Sequence, residues 1–157
     1  GTYDRIVSIG MLEHVGPKNY KHFFKHCSDM LKDDGIMLHQ TIGNNRSVNS
    51  TDPWIDMYIF PGGVIPSLTQ ISKAIERQLV IEDVQNFGPD YDKTLLSWHA
   101  NFINSYPKLH DKYDGEFYRM WEFYLLSSAA LFRTRKIQLY QIVMRKPLPS
   151  KTYIAQR

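Results

Sequence analysis

The sequence is short of cysteine, of long apolar runs and of net charge, and each shortage excludes a class of protein. A single cysteine, Cys27, stands among 157 residues, so no internal disulfide forms. That excludes a small cross-linked scaffold and suits a reducing compartment. No stretch approaches the roughly 20 consecutive apolar residues that cross a bilayer as a helix. The six histidines are scattered, and no Cys/His spacing of the zinc type occurs, so no metal site is expected. A glycine-rich phosphate loop and a Gly-x-Ser-x-Gly elbow are also missing. Gly1 to Arg5 holds no basic stretch leading into an apolar one, and no signal peptide is expected. The net charge is only +3, from 19 Lys+Arg against 16 Asp+Glu. This balance is too weak to argue for nucleic acid, but it allows contact with an anionic lipid surface.

What is present is the composition of a globular domain: 43% hydrophobic and 22% charged residues, enough for one core and too few residues for two domains. Aromatics reach 13%, with 10 Tyr, 8 Phe and 3 Trp. Such residues fill cores, and they also line pockets for long apolar ligands.

Arg5 to Gly10 is a β-branched apolar run ended by glycine, the pattern of a fully buried strand in a parallel sheet. Met11 to Pro17 reads as a loop. Asn19 to Leu31 carries Tyr20, Phe23, Phe24, Cys27, Met30 and Leu31 at helical spacing. Lys21, His22, Lys25 and His26 fall on the opposite, solvated face. After the Asp33-Asp34-Gly35 turn, Gly35 to Gly43 is a second strand, which completes a βαβ unit with parallel strands. Asn44 to Asp52 is a polar loop, and Pro53 to Phe60 is an aromatic-rich segment with a short helical turn. Pro66 to Gln78 predicts a helix, Leu79 to Val84 a strand, and Asn86 to Asp90 a loop. Helices are predicted from Tyr91 to Tyr106 and from Gly115 to Phe132, and a last strand from Ile137 to Met144. Residues 1–145 form one unit, and 146–157 read as a frayed tail. The order is that of an α/β doubly wound sheet with an antiparallel end.

In such sheets ligands sit beyond the carboxyl ends of the strands. That rule selects Gly10 to His14, Gln40 to Gly43 and Asn86 to Tyr91. Glu13 and His14 pair a carboxylate with an imidazole, equally suited to acid/base work and to ordering a loop. His39 and Gln40 are strand neighbours and face opposite ways. Alone, His39 reads as a core-edge histidine, whereas Gln40 offers an acceptor and two donors to a small polar ligand. Tyr91 at a helix start is more often packing than chemistry.

Longer motifs carry a family resemblance. Tyr3-Asp4-Arg5-Ile6-Val7-Ser8-Ile9-Gly10-Met11-Leu12-Glu13-His14-Val15-Gly16-Pro17-Lys18-Asn19-Tyr20 closely resembles cyclopropane-fatty-acyl-phospholipid synthases. Asp52-Pro53-Trp54-Ile55, Tyr58-Ile59-Phe60-Pro61-Gly62-Gly63, Asn86-Phe87-Gly88-Pro89-Asp90-Tyr91 and Phe132-Arg133-Thr134-Arg135-Lys136-Ile137-Gln138-Leu139 do so as well. These motifs are long and aperiodic, and the likeness runs to about Arg145.

The resemblance implies the C-terminal part of a class I methyltransferase fold that uses S-adenosylmethionine. It implies methyl transfer to a cis double bond of a phospholipid acyl chain in bacterial lipid biosynthesis. Loss of a proton to a bound bicarbonate then closes the cyclopropane ring. The implied bicarbonate ligands are Glu13, Gln40, Ile42 through its backbone, and Tyr91. Ile9, Gly10 and His14 match positions lining the cofactor pocket, and Trp54 to Phe60 with the late helices would wall an acyl channel. The implied setting is cytoplasmic, peripheral to the inner face of the membrane, with phospholipid acyl chains as partner and no nucleic acid. The glycine-rich turn and acidic residue that bind the cofactor in this fold have no candidate here. Nor does the family's bicarbonate-binding cysteine, since Cys27 sits on a helix. The chain alone is therefore expected to bind cofactor poorly and turn nothing over, and its free sheet edge to favour a homodimer. Two other readings stay open: a related methyltransferase with a different lipid or small-molecule product, and a non-catalytic module binding lipid or a partner.

One departure is informative. The family pattern His-Thr-Ile-Gly is here Gln40-Thr41-Ile42-Gly43, with His39 one place early. Gln40 is expected to serve through its amide NH2, a weaker anion donor than a charged imidazole. Cyclopropanation by the intact enzyme should fall in Gln40→Ala and persist in His39→Ala; loss in His39→Ala alone would mean a different register.

Overall fold

The computed structural model describes residues 1–147 and 152–155. Residues 148–151 and 156–157 of the expected tail lie outside the described residues. Four strands, β1 (Tyr3–Ile9), β2 (Leu31–Asn44), β3 (Val80–Asn86) and β4 (Ile137–Arg145), form one sheet in the order β1-β2-β4-β3. β1 pairs with β2 in parallel, with Ile9 opposite Gln40; β4 runs antiparallel to both β2 and β3. The predicted parallel start and antiparallel end are both present.

The sheet is covered on both faces. On one lie α2 (Tyr20–Met30) and α4 (Leu68–Ile75), packing Tyr20, Phe24, Cys27, Ile71 and Ile75 against Met37, Tyr140, Ile142 and Met144. On the other, α5 (Gly88–Ser105) and α6 (Gly115–Arg133) bury Leu95, Phe102, Leu125 and Phe132 with Leu139. β2 feeds both layers because its side chains alternate, with Gly35, Met37, His39, Thr41 and Gly43 buried on the α2/α4 side. Gly43 is required there: a Cβ would overlap the Tyr140 ring on the neighbouring strand. The Lys21, His22, Lys25 and His26 face of α2 is solvated, as its spacing predicts.

Four expectations need correcting. Asp33-Asp34-Gly35 is not a turn but part of β2, which starts at Leu31. β1 is not fully buried: Val7 and Ile9 are each 61% exposed. It is the edge of this sheet, paired on one side only, and no described helix covers its Val7–Ile9 face. The Met11 to Pro17 loop contains a one-turn helix, α1 (Leu12–Val15), followed by a 3-10 turn over Pro17–Asn19. α5 begins at Gly88 rather than Tyr91, with Pro89 in its first turn, where its missing N–H costs nothing.

His39 is fully buried, edge-on to Phe24 at 5.3 Å and near Phe23 at 6.1 Å, and neither ring nitrogen has a hydrogen-bond partner. Burial pushes its pKa down from 6.5 to about 4. The unfolded chain therefore takes up this proton first as pH falls. Stability is lost as pH drops from 6.5 towards 4 and levels off below, by about 3 kcal/mol in all. Urea unfolding at pH 7.0 and 4.5 is expected to show this loss in the native chain and a smaller one in His39→Leu. Equal losses in both would remove His39 as the cause.

Candidate active site

The site forms where β1 ends and β2 continues. Gly10 turns the chain away from the sheet with a φ of 61°, after its amide has donated to the Gln40 carbonyl at 3.1 Å. Beyond this point β2 has no strand on that side. The Ile42 amide, which would be unpaired, donates to Glu13 Oε1 at 2.7 Å. Glu13 thus takes the place of the missing strand neighbour. α1, which carries it, is pinned in turn by the Val64 amide donating to the Glu13 carbonyl at 2.8 Å.

Glu13 is only 8% exposed, and its second oxygen, Oε2, is buried with no partner. A buried carboxylate oxygen without a donor is costly, and such atoms mark places where a ligand completes the set. Two phenols feel its charge. Burial, then the Glu13 charge, pushes Tyr20 up to about 12 and moves Tyr91 in the same direction. Both keep their protons at neutral pH. The Tyr20 hydroxyl donates to the Val64 carbonyl at 3.2 Å, so Tyr91 is the phenol left to serve a ligand.

A cavity of about 1040 Å³ opens at this point, at the upper end of the usual range for ligand pockets. Gly10, Glu13, His14, Ile42 and Tyr91, all selected from sequence, line it. Its remaining wall is largely apolar. The aromatic segment gives Ile55 and Phe60; α5 gives Leu95 and Trp98; α6 gives Tyr124 and Phe132. Edge-to-face contacts fix these rings, with Tyr91 5.1 Å from Phe132 and 5.7 Å from Trp98 between centroids. Trp54, expected in the wall, is carried by α3 (Pro53–Tyr58) and packs instead against Phe123 at 4.6 Å.

Two expected residues stand just outside the lining. Ile9 is exposed on β1, beside Gly10. Gln40 lies opposite Gln141 on β4, whose Nε2 donates to Gln40 Oε1 at 2.7 Å. That bond consumes the Gln40 carbonyl and leaves its NH2 as the group it offers. Cys27 is buried in the α2 layer, its thiol pushed up by burial. Sequence reading missed Gln141, Asn45, Arg46 and Lys136, because their place depends on pairings between distant segments.

The residues present fit one wall of a pocket for the cofactor that the resemblance implies. Gly10 has open space where a Cβ would project, Ile9 offers an exposed apolar side chain, and His14 stands edge-on to Phe60 at 5.5 Å. For a small anion such as bicarbonate, the unpartnered Glu13 Oε2 and the Tyr91 hydroxyl form a matching acceptor and donor. No group of three or more His, Cys, Asp or Glu placed to hold a metal occurs among the described residues.

Comparison with known proteins identifies the family. The family described as mycolic acid cyclopropane synthetase matches residues 1–142. The cyclopropane-fatty-acyl-phospholipid synthase of Escherichia coli K12 is 45% identical over 154 residues, covering 98% of this chain and 40% of that protein. A sphingolipid C9-methyltransferase of Candida albicans is 35% identical, covering 96% of this chain and 30% of that protein. This chain therefore spans less than half the length of these relatives. Among solved structures, the cyclopropane synthase MmaA2 of Mycobacterium tuberculosis aligns with a TM-score of 0.84 at 26% identity, over 92% of this chain and 56% of that one. The mycolic acid cyclopropane synthase CmaA1, complexed with SAH and CTAB, aligns at 0.83 and 30% identity with the same coverage. Because the family match runs from β1 into β4, the chain belongs to the mycolic acid cyclopropane synthetase family and is built on the class I methyltransferase fold.

Proposed function

We propose that residues 1–145 are the C-terminal part of a catalytic domain that adds a methylene across a cis double bond of a phospholipid acyl chain. The observation that carries this reading is the buried, unpartnered Glu13 Oε2 beside Tyr91, at the polar end of an otherwise aromatic cavity. The phospholipid substrate is supported by the E. coli relative, which is named for it.

S-adenosylmethionine, when bound, supplies an electrophilic methyl group on its sulfonium. Gly10, Ile9 and His14 would form one side of its pocket. Bicarbonate, when bound, supplies the base for ring closure. Glu13 Oε2 would accept from its hydroxyl and Tyr91 would donate to one of its oxygens, while the Ile42 amide fixes Glu13 through Oε1. Gln141 holds the Gln40 carbonyl, so the Gln40 NH2 is the group that would turn to the anion. The rings of Phe60, Tyr91, Trp98 and Tyr124 exclude water. Their faces also favour the positive charge that methyl addition leaves on the acyl chain. Ring closure requires loss of a proton from the added methyl, whereas a methyl-branched alkene requires loss of one from a chain carbon; the name of the E. coli relative supports the former.

No described helix is long and apolar enough to cross a membrane. Acyl chains would reach the cavity from a bilayer surface on the cytoplasmic side. We further propose that this chain alone binds the cofactor weakly, because the segments that hold its methionine and ribose have no counterpart here.

Expression of the full-length gene in a host lacking cyclopropane lipids is expected to yield lipids that gain one CH2 and lose the double bond by mass spectrometry. Methyl-branched or oxygenated lipids would instead assign a related methyltransferase, and unchanged lipids a binding module. Glu13→Gln keeps the acceptor for Ile42 but puts a donor where Oε2 stood, and is expected to lower turnover about a hundredfold. Gln141→Leu frees the Gln40 amide to rotate and should cost about fivefold in kcat/KM. Wild-type rates in both variants would contradict these roles.

A further inference from the structure

We propose that Arg46 and Lys136, the latter placed by the Arg135 turn, form a binding site for the phosphate of a lipid head group at the rim of the cavity; the inference rests on the phospholipid reading above. Arg46 and Lys136 both line the cavity, from opposite ends of the sequence. Three hydrogen bonds bring their segments together. Asn45 Nδ2 donates to the Arg135 carbonyl at 2.7 Å across a separation of 90 residues. Gln138 Nε2 donates to the same carbonyl at 2.9 Å and to Asn45 Oδ1 at 3.2 Å. Gln138 is buried, and its Oε1 accepts from Asn86, so it is locked in this orientation. The loop after β2 and the turn before β4 are thus tied side by side.

The turn itself is strained. Arg135 has a φ of 59°, a left-handed conformation that asparagine or glycine adopts with less cost. Non-glycine residues persist there only where surrounding bonds over-determine them, and such positions concentrate at functional sites. Here the doubly bonded Arg135 carbonyl supplies those bonds.

The nearby acids are already committed. Asp52 accepts from the Trp54 and Ile55 amides at the start of α3. Asp92 holds Arg133 at 3.0 Å, and Glu13 is engaged by Ile42. Among the described residues, Arg46, Arg135 and Lys136 enter no ion pair. The carboxyl end of α6 favours a cation by its dipole, but Arg133 stands there already, and the dipole does not account for Arg46 on a separate loop. A guanidinium and an ammonium suit phosphate oxygens. An anion held here would leave the acyl chain to run into the aromatic cavity. Such a site selects phosphate-bearing lipids over sugar-headed ones.

The test uses the full-length protein and Trp98 fluorescence as the binding readout, since that ring lines the cavity. Short-chain phosphatidylglycerol is compared with a galactolipid of the same acyl chains. The wild type is expected to bind the phospholipid about tenfold more tightly. The double variant Arg46→Gln, Lys136→Gln should lose that preference while binding the galactolipid unchanged. Arg46→Gln alone, on an exposed loop, should lose about threefold and serves if the double variant does not fold. A preference retained in the variants, or equal weakening of both lipids, would overturn the proposal. Displacement of the phospholipid by inorganic phosphate at equal concentration would overturn the lipid assignment in favour of a free-phosphate site. Turnover is read separately: a phosphate preference without cyclopropane product would leave this site standing and sink the cyclopropanation reading.

Discussion

The contact between Glu13 Oε1 and the Ile42 amide organises everything around it. A parallel strand that outlasts its neighbour leaves an amide with nothing to bond, and in this chain a side chain from the departing loop closes the gap. The carboxylate is thereby held at the end of the sheet with one oxygen used and one left over. A backbone necessity of the fold, the satisfaction of a buried N–H, produces a polar centre as a by-product. Tyr20, Tyr91 and the segment through Val64 are then arranged around that charge.

The two layers flanking the sheet have different tasks. The α2/α4 layer is a closed core in which Gly43 admits the Tyr140 ring and His39 sits among phenylalanines. The α5/α6 layer is built of larger rings meeting edge to face, and it stops short of filling the space above Ile42 and Tyr91. Rings in T-shaped contact hold a cavity open, since each fixes its neighbour without interdigitating as aliphatic side chains do. The aromatic surplus in the composition is thus divided between sealing one layer and propping the other.

Much of this was legible in the residues. The βαβ start follows from apolar runs of different period around α2, and the strand-end rule selects Gly10, Glu13, His14, Ile42 and Tyr91. The family motifs then gave those positions a chemistry. Other features were not readable. α1 is too short to carry a period, and the exposure of Val7 and Ile9 depends on what lies next to β1, which composition does not encode. Gln141 becomes the partner of Gln40 only through the register of β2 on β4, and the Arg46 loop is tied to the turn before Lys136 only through the side chains of Asn45 and Gln138. Local pattern reports which element a residue occupies, whereas long-range pairing decides whom it meets.

The Gln40–Gln141 bond has a further consequence. Both partners are neutral amides with no proton to gain or lose across the range in which cells live. An imidazole in the place of Gln40 would change charge near neutrality and carry the local field with it. The amide pair keeps the border of the cavity at constant charge, so its contribution is the same at acidic pH as at neutral pH.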